Sequence, residues 1–169
     1  MSRMNTRIGG RALGKGRIFR HRGGAVLELA LTLSILFSIC YGLIECGYYF
    51  YVKNTMEGAA REGCRAGIVT GGTTAACNSA IENQLQAAGL VANGTTASGS
   101  GATYTIGNFT VYYEDNGAAA TSVASITTGD TLTVQITATW GTVGAGFRPA
   151  AIIGGSKTIT TASAMRVEG

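Results

Sequence analysis

The sequence predicts an α+β fold: a long N-terminal helix, a short second helix and a C-terminal antiparallel sheet of about three to four strands. Three observations predict it. Residues 25–52 are apolar apart from Glu28 and Glu45. A second stretch places Ala76, Ala80, Ile81, Leu85 and Ala88 on one helical face. From residue 103 onward, apolar and polar residues alternate with the period of a half-buried strand.

The first 23 residues stand apart. They hold Arg3, Arg7, Arg11, Lys15, Arg17, Arg20 and Arg22, with no acid and no apolar periodicity. The chain has 13 Lys+Arg and 9 Asp+Glu, so the remainder carries six basic against nine acidic residues, a net −3. The basic character belongs to this leader, and the body has no basic stripe for nucleic acid. A basic segment before a membrane span stays cytoplasmic, which puts everything after the span in the periplasm or outside the cell. Gly9 to Lys15 fits G-x-x-x-x-G-K, but Gly16 follows where Ser or Thr is needed, so it is no phosphate loop.

Residues 24–52 are long enough to span a bilayer, which needs about 20 residues. Small or apolar residues then recur at Val52, Met56, Ala59, Ala60, Gly63 and Gly67. This spacing predicts that the helix continues to about residue 69. At 1.5 Å per residue such a helix is roughly twice a bilayer core, so its second half must lie against something else. Gly71-Gly72 marks a turn. Thr73 or Thr74 is the expected N-cap of the second helix, which should end before Gly89. Residues 92–102 read as a flexible loop. Strands are predicted at 103–106, 109–114, 131–140 and 157–167. In the third of these, Leu132, Val134, Ile136 and Ala138 share one face. The expected organisation is a leader over 1–23, a transmembrane helix over 24–52 and an α+β domain over 53–169.

The junction at residue 23 is the chemically informative point. An ionisable group inside an apolar span is costly unless it has a role, and Glu28 sits near the start of one. No A-x-A-like site follows the apolar core, so removal of that core is not expected. Cleavage between Gly23 and Gly24 makes Gly24 the new N-terminus and places Glu28 four residues beyond it. The new α-amine, with a reference pKa of about 7.7–8.0, is largely charged at neutral pH. Glu28 supplies the partner that a charge in apolar surroundings requires. The alternative is an uncleaved signal anchor with Glu28 snorkelling at the interface.

Residues 24–69 resemble the TadE-like minor pilins of tight-adherence (Tad/Flp) pilus systems. The resemblance rests on the Gly23-Gly24 junction with Glu28, then Gly42-Leu43-Ile44-Glu45-Cys46-Gly47, then Ala59-Ala60-Arg61-Glu62-Gly63-Cys64-Arg65. The tail from Thr161 to Glu168 is similar to the last strand of that family. Leu29 stands where the family often has an aromatic residue, and Ser34 where it often has proline. Keeping the i−4 hydrogen bond at Ser34 implies a straighter helix. The resemblance implies a pilin-like prepilin in the bacterial inner membrane, cut by a prepilin peptidase on the cytoplasmic side. It implies major and minor pilins, an inner-membrane assembly platform and membrane lipid as partners, and a role in assembling or initiating a pilus. It raises interaction roles for Glu45, Arg61, Glu62 and Arg65. A signal-anchored periplasmic domain or a tip adhesin is the competing binding reading.

Other residues carry blander readings. Glu45 falls roughly 26 Å along a helix from Glu28, which suggests an interfacial carboxylate in an aromatic belt with Tyr48, Tyr49 and Tyr51. Arg61, Glu62 and Arg65 form a solvated helix face. Cys40 and Cys46 read as free, buried apolar residues. Cys64 and Cys77 both lie beyond the span, where oxidation is available, and a bridge there would contribute about 3 kcal/mol. Catalysis is not expected. The single histidine, His21, lies in the leader, so no histidine-based triad or metal motif can form in the trimmed chain. Neither a cofactor nor a metal is implied.

Overall fold

The computed structural model describes residues 22–167. Most of the expected leader, His21 included, lies outside the described residues, as does Glu168. By its contacts the chain divides into a unit ending at Leu36 and a larger one beginning at Phe37.

In the first unit, helix α1 (Arg22–Ile68) begins. Every described side chain from Gly24 to Leu36 is exposed. The leucines and alanines favour helix. Thr32 and Ser34 are satisfied along the helix itself, their hydroxyls donating to the carbonyls of Glu28 and Ala30 at 2.8 Å.

The second unit contains the rest of α1, helix α2 (Thr74–Ala87) and strands β1 (Ser98–Ser100), β2 (Thr103–Ile106), β3 (Phe109–Asp115), β4 (Ala118–Ala119), β5 (Thr131–Thr139) and β6 (Thr158–Arg166). A single helical turn, α3 (Trp140–Val143), follows β5. The sheet is antiparallel in the order β1-β2-β3-β5-β6, with β4 against β3. It therefore has six strands rather than three or four. The two unforeseen strands hold three and two residues, too short to display an alternating pattern. β1 also interrupts the loop expected over 92–102, which remains irregular over 92–97: Gly101, at φ +66°, turns the chain back and lets Ser98–Ser100 pair with β2.

One face of the sheet is the core. Phe109, Val111 and Tyr113 of β3 and Leu132, Val134 and Ile136 of β5 are fully buried, and Ala138 nearly so. Against them lie Val52, Met56, Ala59, Ala60 and Cys64 of α1, with Cys77, Ile81 and Leu85 of α2. The α1 stripe is the one its spacing predicts. The α2 face is rotated from expectation: Ala76 is exposed, while Cys77 and Asn78 are buried. Two interactions set this rotation. Thr73 caps the helix by accepting from the Ala76 amide at 3.2 Å. Asn78 Oδ1 accepts the buried Tyr113 hydroxyl at 2.7 Å, which satisfies two polar groups that would otherwise be costly.

Glycine in mid-helix costs about 1 kcal/mol against alanine, yet α1 places Gly63 and Gly67 at its contact face. A methyl group on Gly63 would come within 2.8 Å of the Ile81 side chain, and one on Gly67 within 2.9 Å of Cys77 Sγ. Their absence is what lets α2 approach α1 so closely.

β5 ends one residue short of the predicted strand. The Trp140 amide donates to the Lys157 carbonyl at 2.8 Å, and the Gly144 amide to the Trp140 carbonyl at 2.8 Å. The chain thus turns away from the ladder at the tryptophan. Before β5, Asp130 accepts from the Thr127 hydroxyl and amide and from Asn116 Nδ2. The Thr127 hydroxyl, then Asn116, hold its carboxyl below the usual carboxylate range.

Candidate functional site

Two regions collect the residues singled out by sequence. The first is the start of α1. Gly23 and Gly24 lie within its first turn. Glu28 is exposed on a surface where Val26 and Leu27 are each 67% exposed. A carboxylate is thus presented on an otherwise apolar helix face that nothing in this unit covers.

The second region is a clamp on the middle of α1. Glu45 is fully buried within the fold. Its Oε2 accepts the Ile152 amide and its Oε1 the Ile153 amide, each at 3.0 Å. Both carboxylate oxygens are used by successive backbone donors, a strong charge-assisted arrangement. The loop is shaped for this by Ala151, a non-glycine residue at φ +49°, since a left-handed residue turns successive amides toward one side. The guanidinium of Arg148 donates through Nη2 to the Ile153 carbonyl at 3.2 Å and sets a positive charge near the carboxylate. The indole Nε1 of Trp140 lies close enough to Glu45 to interact electrostatically, yet outside hydrogen-bond geometry.

Gly42 completes the clamp. A methyl there would sit 2.9 Å from Ile152 Cδ1. Gly42 thus makes room for the side chain whose amide Glu45 holds, which gives the Gly42-x-x-Glu45 spacing a structural meaning. One helical turn on, the tyrosines pack around a tryptophan instead of forming a free aromatic belt. The Tyr48 ring stacks on Phe147 at 4.4 Å, and the Tyr49 ring meets Trp140 edge-on at 5.2 Å. Tyr51 is exposed and donates to the Ala88 carbonyl at 2.7 Å.

Sequence reasoning selected Glu45 but missed its partners. Ile152 and Ile153 lie more than a hundred positions away. Their one visible trace was an apolar pair in a loop rich in Gly and Ala after the lone Pro149.

The basic element on α1 is a solvated face. Arg61 pairs with Glu57, which the sequence reading passed over, and Arg65 approaches Glu62 at 3.9 Å. Exposed pairs of this kind contribute a few tenths of a kcal/mol.

Cys64 and Cys77 are both fully buried and stand as free thiols. Cys64 Sγ donates to the Ser163 carbonyl at 3.0 Å, tying α1 to β6 without a covalent link. Burial pushes the Cys77 thiol up to about 12, with the nearby Cys64 adding to the effect. Burial also raises the Cys64 thiol. Thiolate is the reactive form, so both are expected to resist a maleimide at neutral pH while the fold is intact. Cys40, which no part of the described fold covers, should label first in detergent. Intact mass after a short labelling pulse measures this. Labelling of Cys64 or Cys77 at the Cys40 rate would contradict the packing, and a mass two hydrogens short would reveal a bridge.

Among the described residues, no group of three or more His, Cys, Asp or Glu side chains could hold a metal ion. Among the described residues, one helix is long and apolar enough to cross a membrane, within Gly24–Ile68.

Residues 23–65 match the model of a family described as TadE-like protein. The match begins at the glycine junction and takes in Glu28, the Gly42–Glu45 clamp and the Arg61–Arg65 element. No curated protein and no solved structure is significantly similar to the chain.

Proposed function

We propose that this chain, whose residues 23–65 are TadE-like, is a minor pilin or pseudopilin that works in assembling a Tad-type pilus. It is inserted in the bacterial inner membrane as a prepilin and trimmed after Gly23. The TadE-like segment associates it with Tad pili, a structural rather than catalytic setting. The observation that carries the finer reading is the exposed apolar surface at the start of α1, interrupted only by Glu28. Surface of this kind requires lipid or a neighbouring helix, and a pilin meets both in turn.

In this reading the leader stays cytoplasmic and the sheet-bearing unit lies in the periplasm, or outside the cell once incorporated. The prepilin peptidase takes the chain as substrate at Gly23-Gly24. The freed amine pairs with Glu28, within the helix or across to another pilin, and fixes the register of packing. The exposed charges at Arg61, Glu62 and Arg65 face other pilins or the assembly platform.

Membrane protein from a host with an active prepilin peptidase is expected to have lost residues 1–23 by intact mass. Glu28→Ala should insert normally yet reach sheared pili at about a tenth of the wild-type level or less, since a charge buried among apolar helices without its partner is strongly disfavoured. An untouched N-terminus would favour the uncleaved anchor. Normal piliation in the Glu28 variant would remove the charge-pair role.

A further inference from the structure

We propose that a groove beside the Glu45 clamp binds an anionic phospholipid of the leaflet nearest the sheet-bearing unit. Its acyl carbons lie against Tyr49, Phe50 and Ile153, and its phosphate meets Lys157. This rests on the membrane insertion proposed above and adds a lipid site to it.

Three observations support the site. The groove is a cavity of about 450 Å³ whose lining includes Cys46, Tyr49, Phe50, Ile153 and Lys157. Its walls are mostly apolar, which suits hydrocarbon, and a volume of several hundred Å³ is ordinary for a bound small molecule. Second, it is continuous with apolar surface that has no cover within this unit. Phe37, Ile39, Leu43 and Ile44 are each at least half exposed. Beside the groove, Phe50 is 58% and Ile152 60% exposed. A loop carrying exposed Ile152 and Phe147 at the level of Gly42 belongs at the boundary where the apolar helix leaves the bilayer. Third, the charge is complementary. Lys157 is the one charged residue of the lining. It is fixed at the rim by a turn in which its amide donates to the Gly154 carbonyl at 3.0 Å. An exposed lysine above an apolar groove presents a cation where a lipid phosphate lies.

The Glu45 clamp builds the wall. By holding the Ile152 and Ile153 amides, it keeps the loop side of the groove against α1. A helix of a second copy is the rival occupant, but at about 10–12 Å across it is far thicker than a single acyl chain.

The chain contains one tryptophan, Trp140, whose ring lies 5.2 Å from that of Tyr49 in the groove wall. Brominated acyl chains quench indole fluorescence at short range. Full-length protein in nanodiscs is therefore expected to lose more Trp140 fluorescence with brominated phosphatidylglycerol than with brominated phosphatidylcholine at equal mole fraction. Lys157→Gln should lower that preference about fivefold, the effect of one cation near an anionic surface, with the circular dichroism spectrum unchanged. Equal quenching by the two lipids, or an unaltered preference in the variant, would overturn the site while leaving insertion intact. Cross-linking of Cys46 to a second copy, with Trp140 shielded from both lipids, would assign the groove to a helix and also overturn it. Extraction of the protein by alkaline carbonate would instead defeat the membrane reading, and the lipid site with it.

Discussion

Trp140→Ala is expected to destabilise the second unit by about 3–5 kcal/mol, the range for removing a large buried aromatic side chain. Trp140 is fully buried at the point where β5 gives way to a turn. Its ring is approached by Tyr48 at 5.9 Å and Tyr49 at 5.2 Å. On its other side Gly144 is so near that a methyl there would lie 2.8 Å from the indole. Truncation therefore removes the surface joining α1 to the loop after β5, and a backbone pinned at both ends cannot collapse into the space. For a unit of this size the loss corresponds to a fall in Tm of roughly 10 °C or more, read by circular dichroism in detergent. Trp140→Phe should cost much less, because it keeps most of the packing and gives up only an Nε1 that makes no well-formed hydrogen bond. A loss below about 1 kcal/mol for the alanine variant would show that the aromatic cluster does not hold the loop.

Glu45→Ala should release the loop between α3 and β6. The Ile152 and Ile153 amides would lose their acceptors, and the guanidinium of Arg148 a nearby anion. Unpaired amides prefer water, so the loop should open. We expect the Ile152 and Ile153 amides to exchange with deuterium at least about tenfold faster under native conditions, as local opening becomes frequent. Glu45→Gln keeps one acceptor oxygen and should fall between wild type and alanine. The core strands, held by pairing that does not involve Glu45, should keep their slow amide exchange. Unchanged exchange at Ile152 and Ile153 in the alanine variant would mean that the clamp is not what secures the loop.

The helices and the main strands were legible because each has a local signature. The apolar stripe from Val52 to Gly67 and the alternation from Leu132 to Ala138 are periodic, and periodicity is readable without partners. A threonine cap at 73 or 74 could be read for the same reason. What the sequence concealed depends on distant residues. β1 and β4 exist through pairing, since nothing in two or three small residues demands a strand. Asn78 turned inward because Tyr113 offered it a hydroxyl. Glu45 looked like a surface carboxylate because its donors are main-chain amides, which every residue possesses and no side-chain pattern marks. Glu28 differs, since its partner is sought outside the described fold, and only its setting among apolar neighbours singled it out.

The contact between Cys64 and Ser163 spans 99 residues of chain, and that between Glu45 and Ile152 spans 107. During synthesis, α1 is therefore complete long before the strand and loop that secure it have been made. Its stripe from Val52 to Cys64 stays bare for that whole interval, and closure of the sheet over it comes last. Any other surface that binds the bare stripe has its opportunity in that gap, and final folding shuts it out.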